Sequence, residues 1–411
     1  MSDQKSFGDR FLTFFGSFGL AAVILILLLL LTWLGTLQQQ YDPIYEVQED
    51  YFRSLFVIHY VGGKYPIPLL GGYLLLPLLF VNLLVGGLMR MRKGASTLGV
   101  FIVHIGIVIL FAGSFVEDMM STKGAMQVWE PRPGDSRDVA SNYQSYEEWE
   151  VAVIRPDADG SRSEFVIPYA EFKGLDADDT VRCYSAQIPF DVMLSDYMEN
   201  SKLQRDPSAS RESPYKLTAQ ENVSAEQKNA GLGNTAGLRA SLIENASGKA
   251  HHGVLWGGRG DTFRVNLAGQ PWSVTIRKRS WDLPFRINLT KFIHEVHPGT
   301  GMPRRYSSYV TMTPDEELGS SQRDVHITMN EPLREAEYTL YQSGWGPQMG
   351  AAGRRMFSVF AVVRNPSDQV PLYACIVIGL GLLIHFGRKL YLYLKSEARK
   401  RAVATATGST A

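Results

Sequence analysis

Residues 98–116 read LGVFIVHIGIVILFAGSFV, an uncharged apolar run that decides the fold class. A helix rises about 1.5 Å per residue, so a run of this length spans most of a hydrocarbon core of roughly 30 Å. Three further uncharged runs of similar length occupy residues 19–37, 69–89 and 370–387. The sequence therefore predicts four transmembrane helices.

The first run admits a second interpretation, a cleaved signal peptide, because Lys5 and Arg10 precede it. Its apolar stretch is long for such a signal, and no small-residue cleavage site follows at residues 38–40. We therefore interpret residues 19–37 as the first transmembrane helix.

The overall composition excludes several classes of protein. The 411 residues include 41 Lys and Arg against 41 Asp and Glu, so the chain lacks the basic excess of a nucleic-acid binder. With 45% apolar residues it differs from a disordered chain, and its two cysteines are too few for a disulfide scaffold.

The charges predict an orientation in the membrane. Residues 1–18, 90–97 and 388–411 together hold 11 Lys and Arg against 3 Asp and Glu, so we expect these pieces in the cytoplasm. The loop 38–68 and the segment 117–369 are then extracytoplasmic. Both termini are expected inside.

The extracytoplasmic segment has the pattern of a β domain. Residues 148–154 (EWEVAVI) alternate in polarity, a turn follows, and residues 164–169 (EFVIPY) return, which is a hairpin pattern. Residues 272–280 and 324–330 alternate in the same way. The predicted fold class is a membrane protein with four transmembrane helices and a large all-β extracytoplasmic domain, sandwich or barrel-like.

One stretch of that domain differs in composition. Residues 200–237 are rich in Ser, Ala, Asn and Gln and poor in large apolar residues. This composition is typical of a long exposed insertion, with a short helix near residues 225–230.

His104 is the clearest candidate for chemistry. It lies seven residues past Thr97, about 10 Å along the third helix, where lipid offers an imidazole no partner. Gly99, Gly106 and Gly113 share one stripe of this helix, and His104 points to nearly the opposite side. The stripe would let one neighbouring helix pack closely, while His104 faces away from that helix.

His385 lies near the cytoplasmic end of the fourth helix, at a depth similar to that of His104. Two neutral imidazoles between apolar walls suit a planar metalloporphyrin, because haem iron takes axial histidine ligands. Simpler alternatives stay open: His104 hydrogen-bonded to a neighbouring helix, and His385 reaching the headgroups. His59, in the outer loop, is a weaker candidate for a ligand.

The other groups of His and Cys residues are weak candidates for metal binding or catalysis. His294 and His297 lack the spacing of a zinc protease site and face opposite sides of a strand. Cys183 and Cys375 are interpreted as two separate buried thiols. Without a C-x-x-C pair or a C-x-x-C-H motif, the chain is neither a dithiol reductase nor a carrier of covalent haem.

Several stretches together resemble one family, the ResB (also called CcsB) cytochrome c biogenesis proteins of the System II pathway. The layout of three helices, a large outer domain and a last helix is similar across most of the chain. The resembling stretches are 103–107 (VHIGI) leading to 111–113, 287–292 (INLTKF), 298–299 (PG), 306–310 (YSSYV), 329–333 (MNEPL), 338–345 (YTLYQSGW) and 364–366 (RNP).

The resemblance implies a role in a complex. The family works with a Trp-rich membrane subunit (ResC, also called CcsA) that handles haem. Together they move haem b outward and attach it to apocytochrome c. A thiol reductant protein keeps the cysteines reduced. His104 matches the family's transmembrane histidine, a candidate axial ligand of the haem iron. The seven Trp residues form no cluster here, so the Trp-rich half would be another chain.

The resemblance thus implies a non-autonomous subunit of a holocytochrome c synthase, in a bacterial inner or plasma membrane or a thylakoid. His385 is a cofactor-binding candidate from its depth alone. A different class of function also stays open: a non-catalytic, membrane-anchored assembly or sensor module whose outer domain binds an extracytoplasmic protein. The absence of a self-contained catalytic motif favours this alternative.

Overall fold

The computed structural model of the protein describes residues 7–42, 44–61, 64–132, 139–156, 162–208, 212–223, 233–259, 263–267, 269–299, 303–315, 321–347 and 355–408. The chain divides into two compact units. Met1–Ser121 and Asn365–Ala411 form the helical unit, and Thr122–Arg364 forms the β unit.

The described residues of the helical unit form six α-helices and two π-helical segments. The α-helices are α1 (Phe7–Phe15), α2 (Phe18–Gln38), α3 (Ile44–Val47), α4 (Gly72–Asn82), α5 (Leu98–Met120) and α6 (Val370–Gly408). One π-helical segment is Gln48–Phe52; the other, Leu83–Met89, continues α4 and is called the π segment below.

Four of these helices are long and apolar enough to cross a membrane: α2, α4 with the π segment, α5, and α6 as far as Arg401. This confirms the predicted four spans, and the chain is a membrane protein. The helix α6 continues well past residue 387, where the prediction ended it. The residues that follow include many Leu, Lys, Arg and Ala, which are strong helix formers.

The second span begins later than expected, because residues 65–70 form a strand. Strand β2 (Tyr65–Leu70) pairs in antiparallel register with β1 (Phe56–Val61). Pro66 and Pro68 favour the extended backbone, since proline cannot donate the amide hydrogen bond that a helix interior needs. The outer loop predicted from the sequence therefore contains a hairpin.

The glycine stripe of α5 packs against α6. A Cβ atom built at Gly106 would lie 2.5 Å from Cγ1 of Ile378, and one built at Gly113 would lie 2.4 Å from Cγ1 of Val370. Glycine at these positions lets the two helix backbones approach more closely than any other residue would allow. This is the close neighbour that the glycine spacing predicted.

A polar network anchors the C-terminal end of α5. The guanidinium of Arg53 donates to Asp118 Oδ1 at 2.9 Å and 3.2 Å, and the Tyr73 hydroxyl donates to Asp118 Oδ2 at 2.9 Å. These contacts connect α5 to α4 and to the segment that precedes β1. Charge-assisted bonds of this kind are stronger than neutral ones.

The β unit consists of strands β3–β18 in the part that the structure describes. They are β3 (Thr122–Trp129), β4 (Val139–Pro156), β5 (Arg162–Pro168), β6 (Thr180–Cys183), β7 (Phe190–Met198), β8 (Ser201–Arg205), β9 (Tyr215–Ala219), β10 (Gly237–Glu244), β11 (Ala250–Trp256), β12 (Phe263–Leu267), β13 (Gln270–Val296), β14 (Pro303–Pro314), β15 (Arg323–Thr328), β16 (Leu333–Glu335), β17 (Tyr338–Gly346) and β18 (Phe357–Arg364).

The pairing of these strands is antiparallel, which confirms the predicted β class. A ten-stranded sheet runs in the order β15-β14-β13-β4-β3-β18-β17-β16, with β12 added to β13 and β5 added to β4. A four-stranded sheet has the order β11-β10-β7-β6. The predicted hairpin is that of β4 and β5, in which Val151 is opposite Ile167.

Two hydrophobic cores fill the β unit, and the long strands β4 and β13 contribute to both. One core contains Phe190 and Phe263 between the four-stranded sheet and the first half of β13. The other contains Phe285 and Phe360 among β3, β13–β15, β17 and β18. Strand β13 passes from the first core to the second where its pairing with β4 is irregular, between Lys278 and Ile287.

The stretch 200–237 is more structured than its composition suggested. Strands β8 and β9 form a hairpin, and Ser201, Ser213, Leu217 and Ala236 are buried. Backbone pairing between β8 and β9 and the burial of Leu217 order this part of the stretch. The helix predicted near residues 225–230 lies outside the described residues.

Candidate functional site

His104 lies in α5, where its side chain is partly buried. Its Nδ1–H donates a hydrogen bond of 2.7 Å to the carbonyl of Val100, one turn earlier. Because a carbonyl only accepts, Nδ1 carries the hydrogen of the neutral ring and Nε2 keeps a lone pair. Metal-binding histidines commonly have this tautomer, with a backbone carbonyl holding the second nitrogen.

The edge of the His104 ring that carries Nε2 lies against the π segment. A Cβ atom built at Gly87 would be 2.3 Å from Cδ2 and 3.1 Å from Nε2 of His104. The ring therefore occupies the space that a side chain at Gly87 would need. His104 faces the second span, on the side of α5 away from the glycine stripe, as the helical periodicity predicted.

His385 packs on the opposite side of α5. A Cβ atom built at Gly99 would lie 2.6 Å from the backbone nitrogen of His385 and 2.8 Å from its Cβ. Gly99 precedes His104 by five residues, so His385 packs against α5 about 7.5 Å along the axis from His104. The structure thus places the two histidines roughly one and a half helical turns apart and against different faces of α5.

An aromatic contact joins the same two spans farther along α5. Phe111, about two turns from His104, packs against Phe80 of α4, with 5.8 Å between ring centroids. A neutral imidazole with a lone pair on Nε2 is the donor type that haem iron takes as an axial ligand. Ligation of haem iron by His104 stays a prediction.

His59, the third candidate in the helical unit, is buried in β1 and has a protein partner. Its Nδ1 is hydrogen-bonded to the hydroxyl of Tyr51 at 2.5 Å. Burial raises the pKa of Tyr51, and the nearby Asp42 and Asp50 raise it further. His59 is therefore better explained as a structural histidine with a hydrogen-bond partner than as a metal ligand.

The histidines of the β unit have structural neighbours. His294 packs against the rings of both Tyr306 and Trp345, at centroid distances of 5.2 Å and 4.4 Å. His326 stacks on Tyr309 at 4.3 Å. Within the described part of the chain, no group of three or more His, Cys, Asp or Glu side chains is arranged to hold a metal ion.

His251 is held between two carboxylates. Its Nδ1–H donates to Glu212 at 2.9 Å and its Nε2–H donates to Glu244 at 2.8 Å. Burial alone lowers the pKa of His251, but the bonds to Glu244 and Glu212 more than offset this, so the pKa is raised. The cationic ring connects β11 to the end of β10 and to the segment before β9.

The two cysteines are free thiols. Burial and the charge of Glu171 raise the pKa of Cys183, which disfavours a nucleophilic thiolate. Cys375 is exposed on α6, so the prediction that both thiols are buried is wrong for this residue. Its position on a lipid-length apolar helix explains the exposure, because side chains on such a helix face outward as well as inward.

Two residues of the His104 site were not foreseen from the sequence, Gly87 and Val100. Val100 acts through its backbone carbonyl, which every residue has, so no residue type marks the position. The pair Gly86-Gly87 inside an apolar span was a usable signal, because adjacent glycines in a transmembrane helix mark a close approach.

Residues 250–353 match the model of the ResB-like family. The matched region begins with β11, extends past the end of β17, and includes the stretches 287–292, 306–310, 329–333 and 338–345. The match supports a ResB family protein and confirms the resemblance within these residues. It supports involvement in cytochrome c biogenesis in general terms. No curated protein matches the chain.

Proposed function

We propose, with the ResB family as the premise, that this chain is the ResB-like subunit of a System II cytochrome c maturation complex. In this role it helps to deliver haem b across the membrane and presents it for attachment to apocytochrome c. It works with a Trp-rich membrane subunit of the ResC or CcsA type. The chain alone is not a complete haem lyase, because the second half of the machinery lies in that partner.

The observation that carries the proposal is the state of His104. A histidine at this depth has its Nδ1–H fixed by the Val100 carbonyl, and this leaves the lone pair on Nε2 as the donor that iron would need. Haem b is the cargo of the complex, and ligation at Nε2 would hold it within the membrane during transfer. His104 is the ligand that this chain supplies.

The second axial ligand comes, in this proposal, from the partner subunit. His385 packs against Gly99, on the face of α5 opposite to His104, so the two rings do not border one slot. A haem held on both faces by these two histidines would need α5 to move out of the way. His385 as a ligand stays a prediction from its depth alone.

The orientation follows from the basic flanks of the spans. The hinge 90–97 and the tail 388–411 lie in the cytoplasm, and the β unit lies in the extracytoplasmic space. Haem enters from the cytoplasmic side near His104, and the β unit shapes the place where apocytochrome c meets it.

The attachment itself is an addition. Each cysteine S–H adds across one vinyl group of ferrous haem: the sulfur bonds to one vinyl carbon and the hydrogen goes to the other. No net oxidation or reduction occurs. The cysteines must arrive reduced, so a thiol reductant protein supplies the electrons that break any disulfide beforehand.

The test is complementation of a deletion strain. We expect the deletion to abolish covalently bound haem in c-type cytochromes, measured by haem staining of denatured membrane proteins. The unaltered chain should restore it and His104→Ala should not. Val108→Ala, one turn later on the same helix, is the matched control and should restore it. A deletion strain with normal c-type cytochromes would instead favour the assembly or sensor module.

A further inference from the structure

The contact between Gly87 and His104 is tight enough to define where the ring can be. A Cβ at Gly87 would lie 2.3 Å from Cδ2, 3.0 Å from Cγ and 3.1 Å from Nε2 of His104. Carbon atoms in van der Waals contact are about 3.5–4.0 Å apart, so no side chain fits there unless the ring moves. Glycine at position 87 is therefore a condition for the observed position of His104.

The ring is held from two sides. The Val100 carbonyl fixes its Nδ1 edge through a bond of 2.7 Å, and the backbone of the π segment covers the opposite edge, which carries Nε2. The nitrogen with the available lone pair thus faces protein. Iron can reach it only if the π segment, the ring, or both are displaced.

Hydrogen bonds anchor the π segment at its two ends, and in its middle Gly86 packs against the backbone of Gly16. At its start, Asn82 Nδ2 donates to the carbonyls of Phe15 and Ser17, at 2.6 Å and 3.0 Å. At its end, Arg90 Nη1 donates to the carbonyl of Leu12 at 2.9 Å. All of these anchors belong to α1 or directly follow it.

Between those anchors lie Gly86 and Gly87, the most permissive pair of residues for a local change of backbone. A π-helical turn holds one residue more than the α-helical turn it replaces, and such turns are frequent at functional sites. A local change of winding at these glycines would shift the backbone that covers His104.

We propose that Gly87 positions His104 and that the π segment, through Gly87, covers Nε2 and controls its access to haem iron. The proposal rests on the function proposed above, since it gives His104 the role of a ligand. In the structure the segment covers Nε2. For Nε2 to bind haem iron, the segment would have to move aside.

The direct test is haem titration of the purified complex with its Trp-rich partner, followed in the Soret region. We expect Gly87→Ala to weaken haem binding about 10- to 100-fold, as changes that misplace a metal ligand commonly do. The low-spin spectrum of the remaining bound haem should also change, because a displaced ring binds iron less well.

Two glycine variants serve as controls. In Gly19→Ala on α2 and in Gly379→Ala on α6, no described atom lies within 4 Å of the added Cβ. Both should bind haem as the unaltered protein does. Equal weakening in these two variants would overturn the proposal, because the effect would then not depend on the contact with His104.

A second comparison covers the case in which Gly87→Ala folds poorly. In a His104→Gly background the ring is absent, so adding Gly87→Ala should cause no further loss of thermal stability. A loss as large as in the unaltered background would contradict the proposed contact. Unaltered haem affinity in Gly87→Ala overturns the inference but leaves the proposed function standing, whereas unaltered affinity in His104→Ala removes the proposed function itself.

Discussion

Gly106 of α5 and Ile378 of α6 lie so close that a Cβ built at Gly106 would be 2.5 Å from Cγ1 of Ile378. The same Cβ would be 3.1 Å from the carbonyl oxygen of Ala374, so the obstacle includes backbone as well as a side chain. Spans held by such contacts depend on the absence of a side chain, because no aqueous hydrophobic effect drives helices together inside lipid.

Gly106→Ala is expected to destabilise the helical unit by about 1–3 kcal/mol, the usual cost of forcing an extra carbon into a packed interface. Gly379→Ala is the control: it adds the same methyl to open space and improves helix propensity, so stability should hold or rise. Thermal unfolding of the two variants in detergent distinguishes them. Equal melting temperatures would show that α5 and α6 do not pack through this glycine.

The β unit contains a buried hydrogen-bond network that we expect to be structural. Ser308 of β14 donates from Oγ to Gln342 Oε1 at 2.5 Å, and its Oγ is 2.6 Å from that of Ser358 in β18. Ser308 and Ser358 are fully buried. Ser308→Ala leaves buried polar groups without a partner and should cost about 1–3 kcal/mol.

The control for this change is Ser343→Ala, next to Gln342 in β17. Ser343 is exposed, and its Oγ donates to the carbonyl of Val359 at 3.0 Å, which water can replace. We expect a smaller loss of stability than in Ser308→Ala, measured by chemical denaturation. If the two variants unfolded at the same denaturant concentration, the network would not contribute to the stability of the β unit.

His251 predicts a pH-dependent contribution to the stability of the β unit. Its pKa in the folded protein is raised above the ordinary value of 6.5, through bonds to Glu244 and Glu212 and against the effect of Lys249. A raised pKa means that the folded state binds the proton more tightly than the unfolded state does. The stabilisation is therefore complete below pH 6.5 and is lost as the pH rises through the folded-state pKa.

The measurement compares melting temperatures of the unaltered protein and His251→Gln from about pH 5.5 to about pH 8.5, the range in which histidine titrates. The difference should be greatest at the acidic end and should shrink toward the alkaline end. His252→Gln, whose Nδ1 is 2.8 Å from Ser241 Oγ, is the neighbouring control. A difference that grew with pH would contradict the assigned sign.

Much of the helical unit followed from the sequence because lipid imposes simple rules. Uncharged length gave the four spans, and helical periodicity placed the glycines of α5 and His104 on different sides. The packing of Gly87 against the His104 ring could not be predicted from these rules. Gly87 is 17 positions away from His104 in the chain, and periodicity within one helix says nothing about which residue of another helix lies opposite.

In the β unit, the sequence predicted some strands correctly and missed others. Alternation found strands such as β4, β5 and β15, because one face of each is buried. The hairpin of β8 and β9 was missed, since the stretch 200–237 as a whole has the composition of a loop. Gln342, in a stretch that resembles the family, turned out to lie in a buried hydrogen-bond network, which only the tertiary structure brings together.

The most direct measurement is the haem content of the complex purified with its Trp-rich partner, from the Soret band per mole of protein. Ligation by His104 predicts that His104→Ala loses most of the haem, that Val108→Ala keeps it, and that added imidazole restores part of it to His104→Gly. His385→Ala should keep its haem if the second ligand belongs to the partner. Full haem retention in His104→Ala and in the double variant His104→Ala/His385→Ala would contradict the proposed role.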